Sequence, residues 1–315
     1  SLTKALSFVL CLIKKSILGA FAPMFALAFL LALAFRYFGD FGLKDSLVNA
    51  IPLCVISSAI AIPSVRNLSS QNKEFVVYES SMSDILGVLF FNFLALNETI
   101  DAKSFGYFGL EMIIIAFVSF IATIGLSFLL SKIEHHIKFV PIILLVVLIY
   151  AVSKIYHLPG LIFILLFGLS IGNLDELKRF KWIEKLKPDE LSREVSKFKE
   201  LTIESAFLIR ALFFLLFGYL IETSEVLNAD TFIWALAIVF IIFIFRAIQL
   251  KLSKLPLQPL LFVAPRGLIT ILLFLSIEPT QTISLVNTSL IIQVIILTAL
   301  LMMFGLMTNK PQKSD

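Results

Sequence analysis

The stretch Tyr78–Phe93, YESSMSDILGVLFFNF, sets the strongest constraint on this chain. It reads as a membrane-spanning helix with two carboxylates, Glu79 and Asp84, in its first half. A charged carboxylate at the bilayer centre costs ~2.5–3.5 kcal/mol or more, so an intramembrane acid marks a functional site by default. Glu79 and Ser83 are spaced to share a helix face, whereas Asp84 projects about 140° away from Glu79 at roughly 100° per residue. One acid is therefore expected to be paired inside the protein and the other to face a water-filled path. The alternative puts both acids in the cytoplasmic headgroup zone, and Glu79, closer to the expected helix start, is the more open to it.

Composition makes the whole chain a membrane protein. Of 315 residues 59% are hydrophobic and 15% charged, with a mean hydropathy of +0.99. Soluble domains run nearer roughly 45–50% apolar and about 25% charged. No large soluble domain fits, and the net charge of +4 is no nucleic-acid signal because most basic residues sit between apolar spans. Cys11 and Cys54 lie in apolar segments and read as packing residues.

The expected fold is an all-α membrane protein of about ten transmembrane helices. Residues 1–16 read as an interfacial helix or the remnant of a missing span. Residues 17–97 read as a first core repeat, with a broken helix at 47–65 and the acid-bearing helix at 76–97. Linking and dimer-side helices follow at 98–174, then a cytoplasmic amphipathic segment at 175–202 and a linking helix at 203–222. A second core repeat spans 230–307 with a broken helix at 256–277, and 308–315 form a tail. Loop charges alternate accordingly. One set of loops holds Lys4, Lys14, Lys15, Arg66, Lys73, Lys132, Lys138, the basic run in 173–201, Lys251, Lys254, Lys310 and Lys313. The opposite set holds Lys44, Lys103 and Lys154, with Arg36 at a span end. By the positive-inside rule both termini are cytoplasmic, here of a cell inner membrane.

Two spans are interrupted: the first at Ser57, Ser58 and Pro63, the second at Ala264, Pro265, Arg266 and Gly267. Each is the middle member of a three-helix group, and the two groups enter the membrane from opposite sides. That is an inverted repeat, the pattern of secondary transporters that bind ions between discontinuous helices. The alternative is that proline and glycine kink ordinary spans. Arg246, inside another span, needs a partner, and Glu79 lies at matching depth. Such a pair leaves Asp84 without a fixed cation, free to hold a proton or a metal ion. Arg266 either compensates a dipole at the break or lines a cytoplasmic funnel.

At these residues the chain resembles the monovalent cation/proton antiporter superfamily, the sodium/proton exchangers. Glu79-Ser80-Ser81-Met82-Ser83-Asp84 matches in spacing the family's Glu-Ser-x-x-Asn-Asp run, Arg246 occupies the place of a buried arginine that pairs with that glutamate, and Ala264-Pro265-Arg266-Gly267 echoes a Gly-Leu-Arg-Gly-like break. The resemblance implies two crossed discontinuous helices, a homodimer in the full-length form, and about three N-terminal helices missing from a chain that starts Ser-Leu-Thr. Ser83 stands where the family has Asn or a second Asp, which implies electroneutral exchange of one cation for one proton. The first break lacks the family's Thr-Asp-Pro.

The expected activity is exchange of Na⁺, or alternatively K⁺, for H⁺ by competition at Asp84, with Ser83 as a further oxygen ligand. No cofactor and no nucleic acid are expected, and the lipid bilayer is the surrounding partner. A K⁺ efflux system, an intramembrane aspartyl protease and a non-transporting scaffold are the rival readings. The protease would need a second aspartate facing Asp84.

Overall fold

The computed structural model describes residues 22–97, 101–132, 139–155, 163–164, 168 and 188–308. Among them every regular element is helical. Helix α1 is described over Ala22–Gly39. Then come α2 (Leu43–Cys54), α3 (Ser58–Ser64), α4 (Ser70–Leu96), α5 (Ala102–Lys132) and α6 (Phe139–Ile155). They are followed by α7 (Pro188–Leu220), the short α8 (Thr223–Val226), α9 (Ala229–Leu252), a 3-10 turn (Leu260–Phe262), α10 (Leu268–Leu275) and α11 (Thr288–Thr308). Six stretches among the described residues are long and apolar enough to cross a membrane: α1, α2 with α3, α4, Phe198–Leu220 of α7, α9 and α11. The expected interfacial stretch 1–16, much of the expected linking and dimer-side region beyond residue 155, and the tail beyond Thr308 lie outside the described residues.

Two boundaries differ from expectation for the same reason. Helix α4 starts at Ser70 rather than at 76, and α7 runs unbroken from Pro188 through the expected division between 202 and 203. Neither place holds a glycine or a proline, so helix geometry carries on across a change in polarity. Asp84 is consequently the fifteenth of the 27 residues of α4 and Glu79 the tenth, so neither acid lies near a helix end.

The described residues fall into two compact units, one drawn from Ser1–Glu98 with Phe213–Asp315 and the other from Thr99–Leu212. In the first, α9 packs along α11, α2 and α3 pack on α4, and α10 packs on α2. One apolar cluster joins Ala61 and Val65 to Phe75 and Val76 of α4, Leu250 of α9, and Leu260 and Val263. In the second unit α5 packs on α6.

Both expected interruptions are present, with shifted boundaries. Between α2 and α3 the chain is extended at 55–57, while Pro52 lies inside α2 and Pro63 inside α3. Neither proline sits at the break; neighbouring elements hold it open by accepting and donating its freed backbone hydrogen bonds. In the second repeat, Pro256 and Pro259 withhold two N–H donors. The half before the break is accordingly a single 3-10 turn, followed by extended residues 263–267 and then α10.

The two breaks cross. The Ser57 N–H donates to the Pro265 carbonyl at 2.9 Å. A β-carbon added at Gly267 would lie 2.6 Å from Ile60 Cδ1 and 2.9 Å from Ser57 Oγ. Both are side-chain atoms, so Gly267→Ala is expected to displace the Ile60 and Ser57 side chains at the crossing and cost about 1–3 kcal/mol. Thermal unfolding in detergent checks this, and a variant as stable as the parent would show the crossing to be loose.

Candidate functional site

Asp84 reaches the break in the first repeat. Its Oδ2 accepts hydrogen bonds from the Ser58 hydroxyl and, at 3.3 Å, from the Ser58 N–H. Ser58 is the first residue of α3, where backbone donors have no partner within the helix, so the carboxylate completes that helix end. The other oxygen, Oδ1, is buried without a hydrogen-bond partner among the described residues. A buried ionised oxygen without a partner is costly, so this atom favours a proton or a cation. Ser83, the neighbouring residue, accepts the Ile56 N–H at 2.9 Å. Asp84 and Ser83 thus pin the extended residues 55–57 and the start of α3 onto α4. Gly87, one turn on, allows the approach, since a β-carbon there would lie 2.2 Å from Val55 Cγ2.

Glu79 points elsewhere and is fully neutralised. Its Oε1 accepts from the Arg246 guanidinium and from the Gln249 side-chain amide. Glu79 and Arg246 are 1% and 2% exposed, so this is an ion pair out of water. Arg246 and Gln249 are three apart on α9 and share a face. The arginine also donates from Nε to the Leu260 carbonyl at 3.2 Å and from Nη1 to Gln249 Oε1 at 3.2 Å. Its Cζ stands 5.9 Å from the centroid of the Phe75 ring, a cation–π arrangement. These contacts compensate charges that neither helix could bury alone, while Arg246 Nη2 is buried without a hydrogen-bond partner among the described residues.

Arg266 lies at the other pole of the break. Its Nε donates to the Leu53 carbonyl at 2.6 Å, and Nη1 donates to the Ala264 carbonyl at 2.9 Å. Leu53 is among the last residues of α2, whose carbonyls carry the negative end of the helix dipole. A guanidinium thus meets the end of α2 and a carboxylate meets the start of α3. The Arg266 N–H donates to Thr298 Oγ1 at 3.1 Å, which ties the second break to α11. A cavity beside the crossing is lined by Ile56, Ser83, Arg246, Gln249, Ala264 and Arg266, among others.

The structure therefore brings Ser57, Ser58, Ser83, Asp84, Pro265, Arg266 and Gly267 to one crossing, with the Glu79–Arg246 pair next to it. Pro63 stands apart from the break, inside α3. Sequence reasoning left out Gln249 and Thr298. Gln249 carries a legible sign, an amide three residues after a buried arginine in an otherwise apolar helix. Asp84 faces Ser58, and no second aspartate hydrogen-bonds it among the described residues. Among the described residues no three acids, histidines or cysteines come together as a group that could hold a metal ion. A hard monovalent cation would instead take oxygen ligands, here the Asp84 carboxylate and the Ser58 hydroxyl, since Ser83 Oγ, the further ligand expected from the sequence, is engaged by the Ile56 N–H.

A family model described as sodium/hydrogen exchanger, transmembrane, matches residues 10–309. Among curated proteins, none matches the chain. Among solved structures, the sodium proton antiporter MjNhaP1 from Methanocaldococcus jannaschii at pH 8 is similar to it, with 16% sequence identity, a TM-score of 0.59, and coverage of 94% of this chain and 78% of that one. At that identity the likeness speaks for the fold.

Proposed function

The chain belongs to the sodium/hydrogen exchanger family, and on that basis we propose that it exchanges one monovalent cation for one proton through Asp84. It is a multi-pass membrane transporter and not an enzyme. The observation that carries the site assignment is the unlike state of the two acids. Glu79 is spent on Arg246 and Gln249, while Asp84 Oδ1 is buried without a partner. Na⁺ is the cation proposed first, with K⁺ as the alternative.

Ionised Asp84 binds the cation through Oδ1, with the Ser58 hydroxyl beside it and Ser83 holding residues 55–57 in place. Protonated Asp84 leaves the site without the cation. Both loaded forms give Oδ1 a partner. The empty ionised form does not, and that desolvation cost, not net charge, holds the empty carrier back. Net charge could not do so, because ionised Asp84 and Glu79 balance Arg246 and Arg266. One carboxylate exchanging one cation for one proton moves no net charge.

Competition has a direct signature. At pH values below the pKa of Asp84, each unit of acidification should raise the apparent KM for the cation roughly tenfold and leave the maximal rate unchanged. Dye-reported proton movement in proteoliposomes, with Na⁺, K⁺ or Li⁺ added at several pH values, measures this and reads the preferred ion. A KM independent of pH, with only the maximal rate changing, would contradict competition at one carboxylate.

A further inference from the structure

Far from Asp84, the first unit holds a second set of buried oxygens that the exchange mechanism does not use. Ser46 and Asn49 are on α2, both completely buried, and Gln281 is in the segment between α10 and α11 with 9% exposure. Asn49 Nδ2 donates to the Asp45 carbonyl at 2.8 Å and to the Gln281 carbonyl at 2.7 Å. Gln281 Nε2 donates to the Ala95 carbonyl at 3.1 Å. The start of α2, the end of α4 and the segment before α11 are thereby tied into one junction.

Its chemistry is one-sided. Asn49 commits both amide N–H groups, and Gln281 one of its two, to carbonyls. What remains is Ser46 Oγ, Asn49 Oδ1 and Gln281 Oε1, all buried and without hydrogen-bond partners among the described residues. The carbonyls of Gln281 and Ala95 take amide N–H groups and keep a second lone pair, whereas that of Asp45 is also engaged by the Asn49 backbone N–H within α2. Ala95 lies in the last turn of α4, so its carbonyl carries the negative end of a 27-residue helix. Five oxygens with spare acceptor capacity therefore belong to residues tied into this one junction. Unpartnered buried polar groups are rare in folded proteins and call for an occupant. Rings of neutral oxygens that replace a hydration shell are how proteins hold monovalent cations weakly enough to release them.

We propose that Ser46, Asn49 and Gln281 form a second site for a monovalent cation, through which the ion passes on its way to or from Asp84. The inference rests on the proposed exchange activity. Asn49 is six residues before Val55, about 9 Å along α2, and Ala95 is eleven residues after Asp84, about 16 Å along α4, at 1.5 Å per residue. In the topology that the loop charges predict, the junction lies at the outer end of these helices, where an external cation meets it first. With no carboxylate among its five oxygens, the site binds weakly and leaves the proton to Asp84.

The test uses the purified protein with Asp84→Asn, which disables the first site, and follows thermal unfolding in NaCl against choline chloride at equal ionic strength. NaCl should stabilise this protein in a saturable way. Ser46→Ala is the informative addition, because Ser46 Oγ makes no hydrogen bond within the protein. In choline chloride, removing an unpartnered buried hydroxyl should raise the melting temperature. In NaCl that gain should disappear, with the midpoint Na⁺ concentration roughly tenfold higher, a factor equivalent to about 1.4 kcal/mol. Gln281→Met should shift the midpoint the same way. In transport by the otherwise unaltered protein, Ser46→Ala should raise KM for the cation supplied from the Gln281 side only. Equal stability in the two salts, which is the result if water alone satisfies these oxygens, overturns the proposal. So does an Na⁺ midpoint that Ser46→Ala leaves unchanged. Full transport by Asp84→Asn would instead overturn the site proposed for exchange and leave the stability comparison intact.

Discussion

Asp84→Asn is expected to give a folded protein in which added cation drives no proton movement. The side chains are nearly the same size. An asparagine carbonyl oxygen in the place of Oδ2 can still accept from the Ser58 hydroxyl and N–H, so the junction between α3 and α4 should persist. The second position becomes an amide nitrogen, a donor that neither binds a cation nor titrates. Exchange needs both properties in one atom, and the loss should therefore be complete within the assay, more than ~100-fold. Thermal unfolding in choline chloride should stay close to that of the parent, because the substitution also removes a buried ionisable group whose Oδ1 has no partner. The discriminating measurement is proteoliposome transport alongside detergent stability. Transport at the parental rate would mean that the exchanged ions bind elsewhere. Loss of both transport and folding would point to a structural cap on α3. Asp84→Glu separates these: it keeps a titrating carboxylate but lengthens the arm, so residual exchange with a changed KM is expected.

The residues that carry this argument differ in how far a sequence announces them. Charge in an apolar run is a local property, so Glu79, Asp84 and Arg246 stand out at once, and the angular divergence of the two acids follows from helix geometry alone. The partner of Arg246 follows from the cost of burying it. The place of the first break does not. Proline positions suggest 57–63, yet Pro63 sits inside α3, and the extended residues 55–57 are held by Ser83, Asp84 and Pro265 from elsewhere in the chain. Such a break is a tertiary property, invisible to a local scan. Arg266 leaves two readings open in the sequence; its bond to Leu53, 213 positions away, fits dipole compensation, and the same residue also lines the cavity beside the crossing. Helix α7 errs in the opposite direction: a fall in charge density after Leu201 looks like a boundary, but no residue there opposes a helix. Ser46, Asn49 and Gln281 carry no local signal, since single polar residues near span ends are ordinary.

The Glu79–Arg246 pair yields the largest expected change in stability. Arg246→Leu leaves Glu79 buried with Gln249 as its one remaining hydrogen-bond partner from α9, and removing one member of a buried pair costs about 3–5 kcal/mol. Glu79→Leu strands the guanidinium and should cost a similar amount, lessened by the Leu260 carbonyl and the Phe75 ring, which still face it. The double variant Glu79→Leu/Arg246→Leu removes both charges together and should recover most of the loss, because a buried pair replaced by apolar side chains is often neutral or better. Recovery should stop short of the parent, since the Leu260 carbonyl loses the Arg246 donor and Gln249 loses Glu79. A double-mutant cycle on thermal or denaturant unfolding in detergent gives the coupling directly. A coupling near zero, with the two single losses simply adding, would show that the pair stabilises nothing beyond its separate contacts. Arg246→Lys tests the geometry behind the charge: a compact ammonium can reach Glu79 or the Leu260 carbonyl but lacks the planar fork that serves both. It should keep the protein folded and still lose stability. Because α4 carries Glu79 as well as Asp84, that loosening should also raise KM for the cation although Asp84 itself is intact.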